Sequence, residues 1–248
     1  MDNPLSATAT ADLPRGGEER ALHPPFMKHH FETLSQQREA ANFGMWVFLL
    51  TEIMFFGGLF CAYLVFRNWY YPAFSAGSDT LNIALGTTNT AVLIGSSFTM
   101  AMAVFSSQMR RKGALVAFLL MTIVLGLVFL GIKGVEWHGE YVEHHVPGMD
   151  FSIQAFVHPD SPKAVKLSPD MAEKTQLFFS LYFLMTGMHA LHMIIGICML
   201  CFLVWRSSRG AFTEGHVMPI ENFGLYWHFV DIIWIFLFPL LYLISRYR

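Results

Sequence analysis

Charge is what this sequence has least of. Only 14% of its 248 residues are Asp, Glu, Lys or Arg, against roughly a quarter in an ordinary soluble domain. The formal net charge is -2 and no basic stripe is present, which excludes a nucleic-acid surface. Cysteine is scarce too. Cys61, Cys198 and Cys201 all fall inside apolar runs, so they define no disulfide framework or redox compartment. Cys198-x-x-Cys201 sits among Ile195, Leu200 and Leu203 and reads as a pair of small apolar packing residues. The polar segments hold no Gly-rich phosphate loop, no nucleophile elbow and no paired-carboxylate constellation. No short apolar stretch with a small-residue cleavage site precedes the first long run, so a cleaved signal peptide is not expected.

What the chain has in abundance is apolar surface, with 54% hydrophobic and 15% aromatic residues. These gather into five runs longer than the roughly 18 to 20 residues that cross about 30 Å of hydrocarbon. The spans are expected near Ala41 to Phe66, Asn82 to Ser106, Gly113 to Trp137, Thr175 to Trp205 and Phe223 to Ile244. Runs this long lack the alternation of barrel strands, and only helices or closed barrels satisfy a backbone in lipid. The fold class is therefore all-α, a polytopic membrane protein with a bundle of five transmembrane helices. Residues 1–40 form a polar tail with four prolines. It is expected to be disordered to about Phe26, with an interfacial helix over Lys28 to Ala41. Residues 41–248 form the membrane domain. Its fourth span carries a start signal, Ser168 as N-cap, Pro169 at the first position, and Asp170 and Glu173 at the positive dipole end.

Lys and Arg near the span ends set orientation. Lys28 and Arg38, the Arg110–Lys112 turn, and Arg206 and Arg209 share one side, while Arg67 and Lys133 lie on the other. The N terminus is thus expected in the cytoplasm and the C terminus outside, with 138–174 as a large external loop. In that loop His138, Glu140, Glu143, His144 and His145 have metal-ligand chemistry without a regular spacing, and the run is read as solvated.

The spans themselves carry a few expensive polar groups. A carboxylate at a helix centre costs roughly 2.5 to 3.5 kcal/mol on insertion scales, which makes such residues functional candidates. Glu52 has only Met45, Phe48, Leu49, Phe55, Phe56 and Leu59 on its own helix face, so its partner must come from another helix or a lipid. Thr186, His189, His192 and Gly196 recur at helical spacing and must face protein. His228 and Asp231 share a face toward the cytoplasmic end of the fifth span, with Trp227 and Trp234 nearby. Glu136 is placed where the third helix meets the outer surface. Three readings stand open for these groups: haem ligation by facing imidazoles, a proton relay, or structural bonds that fix helix register.

Gly44 through Gly58, with Thr51 and Glu52 at its centre, resembles the glutamate-bearing helix of subunit III of the haem-copper cytochrome oxidases. Gly134-Val-Glu136-Trp-His resembles that family's acidic helix end, Thr186 to Gly196 its His-x-x-His helix, and Tyr226 to Trp234 its C-terminal signature. The matches run in family order from Ala41 to the C terminus, and they correspond to the last five helices of the seven-helix members, as in many bacterial versions. The resemblance implies an accessory, non-redox subunit of a bacterial aerobic respiratory oxidase in the plasma membrane. It would hold no haem, copper or other metal and no catalytic residue of its own. It would contact subunit I directly and join subunit II in the complex, with helices enclosing a V-shaped lipid cleft that holds phospholipid. Glu52 would be the carbodiimide-reactive carboxyl, and Glu52, His228 and Asp231 the residues supporting the lipid cleft or proton uptake. Glu136, His189, His192, Trp227 and Trp234 would be intramembrane polar or structural residues. Quinol oxidases and some nitric oxide reductase clusters use related subunits, while Thr51-Glu52 leans toward cytochrome c as electron donor. The rival from another class is an independent haem-binding membrane electron carrier.

Overall fold

A computed structural model describes residues 33–148, 151–157, 166–209 and 218–244. The regular elements among them are all helices: α1 Leu34–Trp69, α2 Tyr71–Thr80, α3 Ile83–Gln108, α4 Lys112–Val142, α5 Gln154–Val157, α6 Pro169–Glu173, α7 Thr175–Ser208 and α8 Met218–Tyr242. Five long apolar segments can cross a membrane: those of α1, α3, α4, α6 with α7, and α8. The expectation of an all-α membrane bundle is met. The chain divides into compact units Met1–Gly44 and Met45–Arg248. In the first, the Gln36 N–H donates to Thr33 Oγ1 at 3.2 Å where α1 begins, so a side chain satisfies one of the open donors of the first turn. The expected disordered stretch to Phe26, and residues 28–32 of the expected interfacial helix, lie outside the described residues.

In the second unit α3, α4, α7 and α8 form a ring in which α3 packs on α4, α4 on α7, α7 on α8 and α8 on α3. Local chemistry sets up the first pair. Asn82 caps α3 by accepting from the N–H groups of Ala84 (3.0 Å) and Leu85 (3.3 Å). At the other end Arg110 takes a left-handed conformation (φ 57°). Arg111 N–H then donates to Ser106 O at 2.9 Å and Arg110 N–H to Ser107 O at 3.1 Å. That pair of reversed bonds ends a helix sharply and sends α4 back alongside α3. Phe129, Trp227 and Trp234 are fully buried inside the ring. Gly196 admits Trp227, because a Cβ there would lie 2.9 Å from the indole.

The α1 helix stands differently. Only 17% of its most apolar window is buried, against 56% for α8, so α1 flanks the ring of which α8 is the most buried member. From Met45 onward it reaches the other helices through long side chains rather than close backbone approach. Phe56 meets His192 edge-on at 5.3 Å, and the Tyr63 hydroxyl donates to Leu240 O at 2.5 Å. Cys61, Cys198 and Cys201 are exposed on helix surfaces. Cys198 and Cys201 face outward in this chain, a correction to their reading as packing residues.

Three connections also differ from expectation. Between the first two spans the chain forms α2, with Pro72 in its first turn and residues 73–78 buried. Gly77 presses on the Phe178 ring, which holds this connection against α7. The α4 helix continues past Trp137 to Val142, so His138 and Glu140 belong to a helix rather than to the external loop. It continues because His144, at φ 57°, supplies a second reversed cap, with His145 N–H donating to Glu140 O at 2.9 Å. The helix expected to start at Pro169 does start there, but Lys174 separates the short α6 from α7, and the Ser168 side chain makes no capping bond.

Candidate functional site

Among the described residues four groups of titratable side chains stand out, three of them built from more than one helix. The first joins α1 to α7. Glu52 Oε2 lies 3.1 Å from His192 Nε2, with the two side chains 19% and 12% exposed. His192 Nδ1 lies 2.8 Å from Met188 O, a carbonyl that can only accept, so Nδ1 carries its proton. One further proton must then sit between Nε2 and the carboxyl, as an imidazolium–carboxylate pair or as a carboxylic acid donating to a neutral imidazole. Tyr226 OH donates to His192 O at 2.9 Å. The partner that α1 could not supply for Glu52 thus comes from α7.

The second lies on α3 and α8, where Ser97 Oγ is 2.6 Å from His228 Nδ1. Asp231, one turn on, is 3% exposed. Ser97 lies beside it, and both Asp231 oxygens are shielded from solvent. Trp227 and Trp234 anchor the same helix from its other side, donating to Ser96 Oγ (3.0 Å) and Thr90 Oγ1 (3.2 Å) of α3.

The third group surrounds Glu136, which is 5% exposed and lies inside a cluster that pins three helices together. Lys133 Nζ donates to Glu136 Oε1 at 3.1 Å, to Tyr182 OH at 3.0 Å and to Tyr242 OH at 2.8 Å. Both phenols donate onward to the same Glu136 oxygen, Tyr182 at 2.7 Å and Tyr242 by a shorter bond. Lys133, counted above among the cations that set orientation, is a buried structural cation, 1% exposed.

The fourth group corrects the reading of the external run as solvated. The reversed cap at His144 folds His145 back over α4, where its Nδ1 meets Glu140 Oε2 at 2.8 Å and Glu143 Oε2 at 3.4 Å. Glu140 and His145 are 5% and 2% exposed, and His145 stacks on Phe179 at 4.8 Å. Their donor atoms and that of Glu143 lie within 4.8 Å of one another. His138, Glu143 and His144 are exposed, so only part of the run is solvated.

The intramembrane histidines occupy three environments. His192 faces Glu52, His228 faces Ser97, and His189 is enclosed by Phe129 (5.4 Å) and Trp234 (5.3 Å). Sequence reasoning missed Lys133, Tyr182 and Tyr242 as members of these groups. The i,i+3 spacing of Lys133 and Glu136 was a usable signal for the first. The tyrosines carry none, because they come from other helices, whereas the small polar residues of the second span, Ser97 among them, are of the type that bonds between helices.

Against known proteins, the family model for cytochrome c oxidase subunit III matches residues 25–146 and 170–246. Cytochrome c oxidase subunit 3 of Thermostichus vulcanus is 31% identical over 209 residues, covering 82% of this chain and 87% of that protein. The corresponding subunit of Synechocystis is 31% identical over 208 residues, 82% of this chain and 75% of its own. A probable quinol oxidase subunit 3 of Staphylococcus saprophyticus is 26% identical over 223 residues, 88% of this chain and 98% of its own. On this match the chain belongs to the cytochrome c oxidase subunit III family and is a membrane-embedded subunit III of a haem-copper oxidase, of either the cytochrome c or the quinol type.

Proposed function

We propose that this chain is the accessory, non-redox subunit III of a bacterial cytochrome c oxidase, stabilising catalytic subunit I and supporting its proton uptake during dioxygen reduction. The observation that carries the reading is the Glu52–His192 pair, a carboxyl and an imidazole at 3.1 Å on an otherwise apolar helix face. A pair that shares one proton is suited to holding a lipid headgroup or lending a proton, and offers nothing to a redox centre. Phospholipid fills the open side of α1, haem and copper reside in the partner subunits, and His228 with Asp231, near the middle of α8, supports proton uptake by the neighbouring subunit. The identities favour the cytochrome c type, 31% for two such relatives against 26% for the quinol type. The membrane is the bacterial plasma membrane with the N terminus cytoplasmic.

Tagged purification in mild detergent tests the reading. Larger haem-bearing subunits are expected to co-purify, and the complex is expected to oxidise reduced cytochrome c rather than a quinol. A chain that purifies alone with a stoichiometric Soret band would overturn the proposal in favour of an independent haem carrier.

A further inference from the structure

The end of α4 carries ligand chemistry that the proposed function does not use. Among the described residues one set of three His, Cys, Asp or Glu side chains brings its donor atoms together: those of Glu140, Glu143 and His145, all within 4.8 Å of one another. Two of the three are fixed. Glu140 stands on the last turn of α4 and is 5% exposed. His145, 2% exposed, is seated among Phe151 (6.5 Å), Phe156 (5.4 Å) and Phe179 (4.8 Å). Glu143 completes the set from the water side, its side chain 61% exposed, and leaves a path by which an ion can enter. His138 and His144, from the same run, are exposed and lie outside the set.

Charge balance decides between a proton and a metal ion at the centre of this set. Nδ1 of His145 lies 2.8 Å from Glu140 Oε2 and 3.4 Å from Glu143 Oε2. It can carry a single hydrogen, so one of the two carboxylates goes without a donor from that nitrogen. An imidazolium also brings one positive charge against two negative ones. Lys133 does not supply the second, since its ammonium group is bound to Glu136, one turn back from Glu140 on α4. A divalent cation bonded to a neutral Nδ1 and to one oxygen of each carboxylate leaves the set neutral at the end of an apolar span, where an uncompensated charge is costly. The distances fit as well. Tetrahedral zinc with bonds of about 2.0–2.2 Å holds its ligand atoms about 3.3 Å apart, so the Glu140–His145 pair opens slightly and the exposed Glu143 side chain swings in. One imidazole with two carboxylates suits a first-row divalent ion better than Ca²⁺ or Mg²⁺, which take oxygen ligands.

We infer that Glu140, Glu143 and His145 form a site for a zinc-class divalent cation, which ties the segment after α4 back onto the helix, with water as the fourth ligand. Zinc undergoes no redox chemistry, so the site adds a structural ion to a subunit read as non-redox. The inference goes beyond the oxidase reading and does not depend on it, because it needs only these three side chains.

Zinc uptake by the whole purified complex tests it, with Zn²⁺ as the sole added metal and a chromophoric chelator as competitor. One zinc per chain is expected beyond that bound by the Glu143→Gln complex at the same free zinc. Its K-edge absorption is expected to show one imidazole with oxygen ligands. Glu143→Gln, at an exposed position, is expected to weaken that zinc at least tenfold, and His145→Gln to abolish it. His144→Asn, exposed and outside the set, is expected to change nothing. Equal zinc affinity in the unsubstituted and Glu143→Gln complexes, an adventitious surface site, would overturn the inference whatever His145→Gln does to folding. Displacement of the zinc by millimolar Mg²⁺ would overturn it too. Co-purification of haem-bearing subunits is read from the same samples, so failure of the site and failure of the oxidase reading are separate outcomes.

Discussion

Lys133 shows how much a single buried charge depends on its surroundings. Its ammonium group is held by Glu136, Tyr182 and Tyr242 and lies 5.1 Å from the centroid of the Trp234 ring. Removing one member of a buried ion pair leaves the other uncompensated, at a cost of about 3–5 kcal/mol, whereas replacing both by apolar groups of similar volume is often neutral. Glu136→Leu is therefore expected to destabilise the chain by about that amount. The double variant Lys133→Met with Glu136→Leu is expected to recover most of the loss, as read from reversible unfolding in detergent micelles. A double variant worse than either single one would contradict the pairing. Glu52 behaves differently, because it is partly exposed and shares its proton with His192. Glu52→Gln keeps a hydrogen bond to the imidazole. It is expected to leave the haem spectrum and subunit stoichiometry of the oxidase unchanged while abolishing carbodiimide labelling of this chain. A lost haem signal without loss of assembly would contradict the non-redox role.

At the scale of the element, α7 carries two glycines with opposite expectations. A Cβ at Gly187 meets nothing within 4 Å, whereas one at Gly196 lies 2.9 Å from the Trp227 indole. Gly187→Ala is expected to stabilise by up to about 1 kcal/mol through helix propensity. Gly196→Ala is expected to destabilise by about 1–3 kcal/mol through overpacking. Thermal midpoints of the two variants in the same detergent should move in opposite directions, and a shared direction would show that the α7–α8 contact is softer than described. Helix ends follow a related logic. The α3 and α4 helices both stop where a residue enters the left-handed region, Arg110 and His144. Neither is the glycine that usually signals such an end, which is why α4 was expected to stop near Trp137 and instead carries Glu140 to meet His145. In α2, Pro72 was a legible start signal, but ten residues between two long apolar runs gave no periodicity strong enough to mark a helix.

For the whole molecule, the α3–α4–α7–α8 ring and the flanking α1 present many exposed apolar side chains among the described residues. The proposed orientation predicts that cysteines introduced at Glu143 and Arg209 react with a membrane-impermeant maleimide from opposite faces of intact membranes, Glu143→Cys from outside. Labelling of both from one face would reverse or break the topology. Composition and run length alone determined the class of the protein and its five spans, because hydrocarbon leaves an isolated segment no alternative to a helix. They also marked Glu52, Glu136, His192, His228 and Asp231, since an ionisable residue in an apolar run stands out without any knowledge of the fold. Only the tertiary structure decided the partners. Glu52 meets His192 across 140 residues of sequence, and Tyr242 meets Lys133 across 109. Asp231 lies beside Ser97 of α3. The reason is geometric: helical periodicity fixes which residues share a face of one helix, but which faces meet is set by the packing of the ring, to which each sequence segment contributes only one side.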